Sequence, residues 1–182
     1  MIYSLSLETA LFVVGSLLLV GHVAALLKAS VVQGALRAFP RSLVAGFVLF
    51  SVAAVWFIGL VALTDLGEFS SMRPKFLLFA VLGAVLTLRF VREFLAVRAL
   101  GMLLLLVAEP LLESAWMRPE VSRLWLVSLV YAWIVAGLFF IGMPYVLRDA
   151  VAWVTGTSGR WRAAVVAGVA YGILLLGVRA TL

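Results

Sequence analysis

Two glutamates, Glu109 and Glu113, interrupt the apolar stretch LLLLVAEPLLESAW at residues 103–116. They are four residues apart, so a helix would place both carboxylates on one face. A carboxylate inside a bilayer is costly when it is ionised, and such residues commonly mark ion or proton pathways. Pro110 follows Glu109 directly, removes a backbone hydrogen-bond donor and favours a kink at that point. The stretch therefore predicts either a pathway or a contact between two helices.

Two interpretations of Glu109 follow from its place in this apolar segment, which we predict to lie near mid-depth in the membrane. In the first, Glu109 and Glu113 form a proton or cation path that Asp65 and Glu68 extend toward one membrane face. In the second, Glu109 is neutral or paired and joins two helices. Arg89 enters both interpretations, either as a charged residue along the path or as the partner of Glu109.

His22 is the only histidine of the chain and lies toward the end of the first apolar segment. A lone imidazole excludes bis-histidine haem ligation within one chain, and a zinc or iron site would need carboxylates beside it. His22 is therefore either an axial ligand of a pigment or metal, or a hydrogen-bonding contact to a neighbouring helix. No cofactor is certain from the sequence, but bound lipid is expected and a pigment is an alternative. The absence of cysteine excludes disulfides and thiolate sites.

The sequence carries no recognisable catalytic motif. It lacks the pattern of a Ser/His/Asp hydrolase, an HExxH zinc motif and a glycine-rich phosphate loop. Its net charge of +6 comes from basic residues in short clusters between apolar segments rather than in one stripe. Such clusters are typical of membrane topology signals and lipid headgroup contacts. We therefore expect neither enzymatic activity nor nucleic-acid binding.

The composition indicates an integral membrane protein. Of the 182 residues, 66% are hydrophobic and 12% are charged, whereas roughly a quarter of the residues in a soluble domain carry charge. Apolar segments of about 20 residues recur, and each is long enough to cross the hydrocarbon core as a helix. We predict one all-α integral membrane domain over residues 1–182, a polytopic bundle with short connections.

Hydropathy predicts six membrane-spanning helices, at residues 5–27, 42–64, 76–89, 99–116, 124–147 and 163–178. The third is short, so it either begins earlier or carries Arg89 beyond the apolar zone. One continuous helix over 76–108 would give five spans instead. Basic residues oppose an apolar face in the segment 89–101, which predicts an interfacial amphipathic helix between spans three and four. The segment 28–41 is a second basic and amphipathic connection.

Charge sorting supports six spans and sets an orientation. Alternate connections hold nine basic residues on one side and five on the other. Because basic residues are enriched on the cytoplasmic side, both termini are predicted to lie outside. The nine are Lys28, Arg37, Arg41, Arg89, Arg92, Arg98, Arg148, Arg160 and Arg162, and the five are Arg73, Lys75, Arg118, Arg123 and Arg179. Arginine-rich composition and compactness suggest a prokaryotic inner (plasma) membrane.

Small residues at helical spacing predict a close helix contact in the last span. Ala164, Gly168 and Gly172 recur every four residues, a spacing that lets two membrane helices approach closely. The neighbour is either another helix of the chain or a partner, so other membrane subunits or a homo-oligomer are expected alongside membrane lipids.

Two functions are consistent with these features. The favoured one is a non-enzymatic integral membrane subunit that binds partner proteins, lipids or pigments in a larger membrane complex, because polar residues within the spans are scarce. The alternative is a small oligomeric transporter or channel that conducts protons or cations past Glu109 and Glu113.

Overall fold

The fold is helical throughout residues 5–182, which are the residues that the computed structural model describes. Short 3-10 turns at Phe39–Arg41, Gly67–Met72 and Val121–Arg123 connect several of the α-helices. The α-helices are α1 (Leu7–Leu27), α2 (Ala29–Ala38), α3 (Leu43–Leu63), α4 (Arg73–Phe90), α5 (Leu95–Ser114), α6 (Leu124–Gly142), α7 (Tyr145–Val154) and α8 (Ser158–Arg179).

Within residues 5–182, six helices are long and apolar enough to cross a membrane, which confirms six spans rather than five. They are α1, α3, α4, α5, α6 and α8, and the chain is a multi-pass integral membrane protein. The third span includes the preceding 3-10 turn and covers Gly67–Phe90, so it begins before Phe76, and Arg89 lies in its last turn. The remaining helices, α2 and α7, have ten residues each, about 15 Å, too short to cross.

The connection between α4 and α5 corrects one prediction. The sequence pattern predicts an interfacial amphipathic helix in the segment 89–101, but α4 continues to Phe90 and α5 begins at Leu95. A short turn at 91–94 joins them, and Phe94 takes a left-handed backbone conformation with φ 52°. The first turn of α5, including Leu95, is buried, so burial of these apolar side chains outweighs the amphipathic pattern. Short amphipathic helices occur instead as α2 and α7.

The two ends of the bundle differ in what they carry. Ser6, Arg118 and Leu182 line one shallow pocket, so the start of the described residues, the last residue and the α5–α6 link meet at one end, called here the termini end. The other end carries α2, α7 and the turn between α4 and α5. It holds the nine basic residues of the larger group and is called the basic end.

Helix α5 is the most buried of the six spans. It packs against α6 on one side and α3 on another, while α1 pairs with α8 and α4 packs against α3. The largest core joins α1, α5, α6 and α8 through side chains such as Leu11, Leu111, Leu126 and Leu175. None of the residues of α4, all of which the structure describes, is buried. The fourth α-helix is therefore a peripheral span.

Glycines permit the closest backbone approaches in the bundle. A methyl group added at Gly101 of α5 would lie 2.7 Å from the carbonyl oxygen of Gly137 in α6, and one added at Gly137 would lie 2.9 Å from the carbonyl oxygen of Gly101. A methyl group added at Gly46 of α3 would similarly lie 3.0 Å from the backbone nitrogen of Ala96. Membrane helices depend on such packing, because lipid supplies no hydrophobic force that drives them together.

Replacing Gly101 with alanine is expected to lower the free energy of unfolding by about 1–3 kcal/mol, because the added methyl group forces α5 and α6 apart. Gly83→Ala in α4 is the matched control, since a methyl group there meets nothing within 4 Å. Reversible unfolding of both variants in mixed detergent micelles measures the difference. Equal stabilities of the two variants would show that the α5–α6 backbone contact contributes little.

Candidate functional site

A cleft of about 410 Å³ lies between α3, α4 and α5. Its walls are almost entirely apolar, and Thr87 contributes a hydroxyl group. The lining residues of α3 and α5 are near the middle of their spans, so the cleft lies at the depth of the lipid hydrocarbon chains. The lining residues are Phe50, Ala53, Ala54, Phe57, Ile58, Ala80, Ala84, Thr87, Met102, Leu105 and Leu106.

Contacts at its two ends hold α4 beside the cleft. Toward the basic end, Ala84 and Leu88 of α4 pack against a buried cluster of Phe50, Leu95 and Ala99. Toward the termini end, Arg73 Nη2 donates a hydrogen bond of 2.8 Å to the carbonyl oxygen of Thr64 at the end of α3. Small alanine side chains line the space between these contacts. The cleft therefore exists because these alanine side chains are too small to fill the space between the helices.

Glu109 is exposed on α5 and lies five positions before that helix ends at Ser114. At 1.5 Å per residue it is about 8 Å from the helix end, so it lies between mid-depth and the termini end rather than at mid-depth. It follows Leu105 and Leu106 by one helical turn, which places it on the same side of α5 as the cleft lining. Within residues 5–182, its carboxylate has neither a hydrogen bond nor an ion pair.

The other predicted path residues lie in separate places. Glu113 is half-buried one turn beyond Glu109, while Glu68 is exposed in the 3-10 turn before α4. Asp65 accepts a hydrogen bond of 3.0 Å from the backbone nitrogen of Gly67. Arg89 lies in the last turn of α4, at the basic end, and so is on the far side of the membrane from these acids. It therefore does not pair with Glu109.

His22 packs at the interface between α1 and α8. Its Nδ1 donates a hydrogen bond of 2.7 Å to the carbonyl oxygen of Leu18, one turn earlier. The imidazole lies directly against Gly168, where a methyl group would overlap the ring. Among the residues that the structure describes, no three His, Asp or Glu side chains gather as a metal site requires. The arrangement supports a packing role for His22.

The small residues of α8 divide into two groups. Gly172 touches the backbone of α1, since a methyl group there would lie 2.9 Å from the nitrogen of Leu19 and 3.0 Å from the carbonyl oxygen of Gly15. Gly168 makes room for His22, whereas Ala164 is exposed. Gly168 and Gly172 thus pack within the chain, and Gly137 of α6 is a close-contact residue that the four-residue spacing did not indicate.

Gly168→Ala is expected to lower the thermal unfolding temperature, because the methyl group displaces the His22 ring. The double variant His22→Ala/Gly168→Ala should lose less stability than the sum of the two single variants, since the clash is absent when both are changed. Thermal unfolding of the three variants in detergent measures the coupling. Strictly additive losses would show that His22 and Gly168 are independent.

Four arginines bind the carbonyl ends of helices. The last carbonyl groups of a helix lack partners within it and carry partial negative charge, so a guanidinium group stabilises them. The sequence pattern indicated headgroup contacts for these residues, but the structure uses them as helix caps. Arg73 binds Thr64 at 2.8 Å, Arg123 binds Ala115 at 2.9 Å, Arg98 binds Ile141 at 2.7 Å and Arg37 binds Thr155 at 2.7 Å.

No protein-family model, curated protein or solved structure matches this chain. The argument for its function therefore depends on the cleft, the peripheral position of α4 and the arrangement of the charged residues.

Proposed function

We propose that this protein is a non-enzymatic integral membrane subunit that binds a hydrocarbon chain in the cleft between α3, α4 and α5, as part of a larger membrane complex. The observation that carries the proposal is the apolar cleft of about 410 Å³ at hydrocarbon depth. The ligand is the chain of a membrane lipid, or the apolar tail of a pigment. The charge distribution supports both termini outside, and the arginine-rich composition supports a prokaryotic inner membrane.

Packing requirements favour an occupant of the cleft. Protein interiors are close-packed, and atoms that line an unfilled space lose dispersion contacts. Water would form few hydrogen bonds in the cleft, because the polar side-chain group among the lining residues is the Thr87 hydroxyl. In a bilayer, the apolar groups that reach this depth are lipid chains and the side chains of neighbouring membrane proteins. A flexible hydrocarbon chain fits a narrow cleft lined by alanines better than a helix does.

The outward surface of α4 favours a neighbouring subunit. Leu78, Phe79, Leu82, Val85 and Leu86 are all exposed on this helix. Exposed apolar side chains are normal where a helix faces lipid, but α4 contacts the rest of the chain mainly along α3. A partner helix on the other side of α4 would close the cleft and retain the bound chain. This surface supports membership of a larger complex.

Native mass spectrometry of the protein extracted from membranes in a mild detergent tests both parts of the proposal. The expected result is a species heavier than the 19.7 kDa chain, containing partner subunits and at least one retained lipid or pigment. Ala84→Phe fills the cleft with a phenyl ring, so this variant should lose the retained ligand.

Val85→Phe is the matched control, because its neighbouring position on α4 is exposed and does not line the cleft. This variant should keep the ligand. Loss of ligand from both variants, or retention by both, would refute binding in the cleft. A folded chain that always occurs as a free monomer would refute membership of a complex.

A second candidate function is supported by the exposed, unpaired Glu109. An ionisable carboxylate that faces out of a single bundle at membrane depth is costly unless another molecule contacts it. A proton or cation path that includes Glu109 and Glu113 would therefore run between copies of the chain or along an interface with a partner. This alternative makes the protein a small oligomeric transporter or channel.

Flux across liposomes that contain the purified protein distinguishes this alternative. If Glu109 carries ions, Glu109→Gln should abolish proton or cation flux, because the amide keeps the shape of the side chain without its ionisable group. Glu8→Gln is the control, since Glu8 is exposed near the start of α1 and its replacement should leave flux unchanged. Absence of flux in the folded wild-type protein would reject the path and leave the subunit proposal.

A further inference from the structure

A pocket of about 250 Å³ opens at the basic end between α2 and α7. The first wall comes from the end of α2 and the turn after it, through Arg37 and Pro40. The second wall is one face of α7 continued into the following residue, because its members are spaced three, four and seven residues from the first. These members are Arg148, Val151, Ala152 and Thr155.

Arg37 is held in a fixed position in this pocket. Its Nε donates a hydrogen bond of 2.8 Å to Thr155 Oγ1, and its Nη2 donates one of 2.7 Å to the Thr155 carbonyl oxygen. The Thr155 hydroxyl in turn donates to the carbonyl oxygen of Val151 at 2.8 Å. The Nη1 of Arg37 has no hydrogen bond in the described part of the chain. The Arg37 guanidinium group is thus held in place by Thr155, and its Nη1 can donate hydrogen bonds to a ligand.

Arg148 is the second arginine that lines this pocket. Its Nε donates a hydrogen bond of 2.8 Å to Asp149 Oδ1, and the side chain is 46% exposed. The hydrogen bond and charge of Asp149 raise the pKa of Arg148, and an arginine guanidinium group is in any case protonated throughout the physiological range. Both terminal Nη groups are without hydrogen bonds among residues 5–182. Asp149 is not among the pocket-lining residues.

Two positively charged arginines that line one pocket repel each other, and an anion bound between them would relieve the repulsion that the Asp149 contact of Arg148 leaves. Arginine is well suited to phosphate, since its planar fork can donate two hydrogen bonds to phosphate oxygens. The basic end as a whole has few acidic residues, since its nine basic residues are accompanied by Glu93 and Asp149. The electrostatic environment therefore favours an anionic ligand.

The position of the pocket indicates that the anion belongs to a lipid. Helix α7 lies between the end of one span at Gly142 and the start of the next at Ser158. Its Trp153 is exposed and contacts the Arg160 guanidinium group at 4.6 Å from the ring centre, and tryptophan is typical of the membrane–water interface. The pocket also has apolar walls at Pro40 and Val151, which suit the glycerol and upper chain of a phospholipid.

We propose that the pocket between α2 and α7 binds the phosphate group of an anionic membrane phospholipid, with Arg37 and Arg148 as its ligands. The lipid bridges the two short helices and fixes them at the membrane surface. This site is separate from the cleft between α3, α4 and α5. The inference therefore requires only that the chain spans a membrane, and it holds whether or not the cleft binds a hydrocarbon chain.

The test compares lipid affinities of the full chain in detergent by native mass spectrometry, with phosphatidylglycerol, phosphatidylcholine and inorganic phosphate as probes. Wild-type protein is expected to bind phosphatidylglycerol more tightly than phosphatidylcholine. Arg148→Gln should weaken phosphatidylglycerol binding about tenfold, the loss of one charge-assisted contact. Arg162→Gln is the matched control, because it removes an exposed positive charge from the same end without touching the pocket.

Three results would overturn the proposal. Equal losses in Arg148→Gln and Arg162→Gln would show attraction by the whole basic end rather than a site. Displacement of phosphatidylglycerol by millimolar inorganic phosphate would assign the pocket to free phosphate instead of lipid. If Arg148→Gln does not fold, Ala152→Phe, which fills the pocket from α7, takes its place. Undiminished phosphatidylglycerol binding by folded Ala152→Phe would equally reject the site.

Discussion

Close backbone contact along α5 is the constraint on which the rest of the bundle depends. Gly101 and Gly137 bring α5 and α6 together so closely that each excludes a side chain from the other. At the start of the same helix, Gly46 allows α3 to reach the backbone of Ala96. Because lipid does not drive apolar helices together, the dispersion contacts that these close approaches permit stabilise the association of the helices. Because α6 and α3 occupy both sides of α5 near its start, α4 packs on α3 at the edge of the bundle.

The peripheral position of α4 connects the packing to the proposed function. Alanines on α3 and α4 leave a space beside α5 that the chain's own side chains do not fill. Contacts at each end of α4, through Leu88 and Arg73, hold the helix in place across that space. A hydrocarbon chain between α4 and α5 would complete the packing that soluble proteins achieve with larger core side chains.

Arginines cap helices at both ends of the bundle, but the basic end also has an excess of positive charge. Arg73 and Arg123 cap helices at the termini end, while Arg37 and Arg98 cap them at the basic end. Each neutralises partial negative charge on carbonyl groups that the helix leaves unpaired. The remaining cations at the basic end exceed the available carboxylates, so that surface attracts anions. The same basic residues could therefore serve both the predicted orientation under the positive-inside rule and the proposed lipid binding.

The sequence by itself determined the number of spans and the division of charge between the two ends. Both are local properties, because a span needs only enough consecutive apolar residues and a connection needs only its own charges. Tertiary structure alone decided that Glu109 is exposed, that Gly168 faces His22 and that the α4–α5 connection is a tight turn at 91–94. Helical periodicity identifies which residues share a face, but in a uniformly apolar span it does not identify the neighbour that covers that face. That choice depends on which backbones can approach most closely.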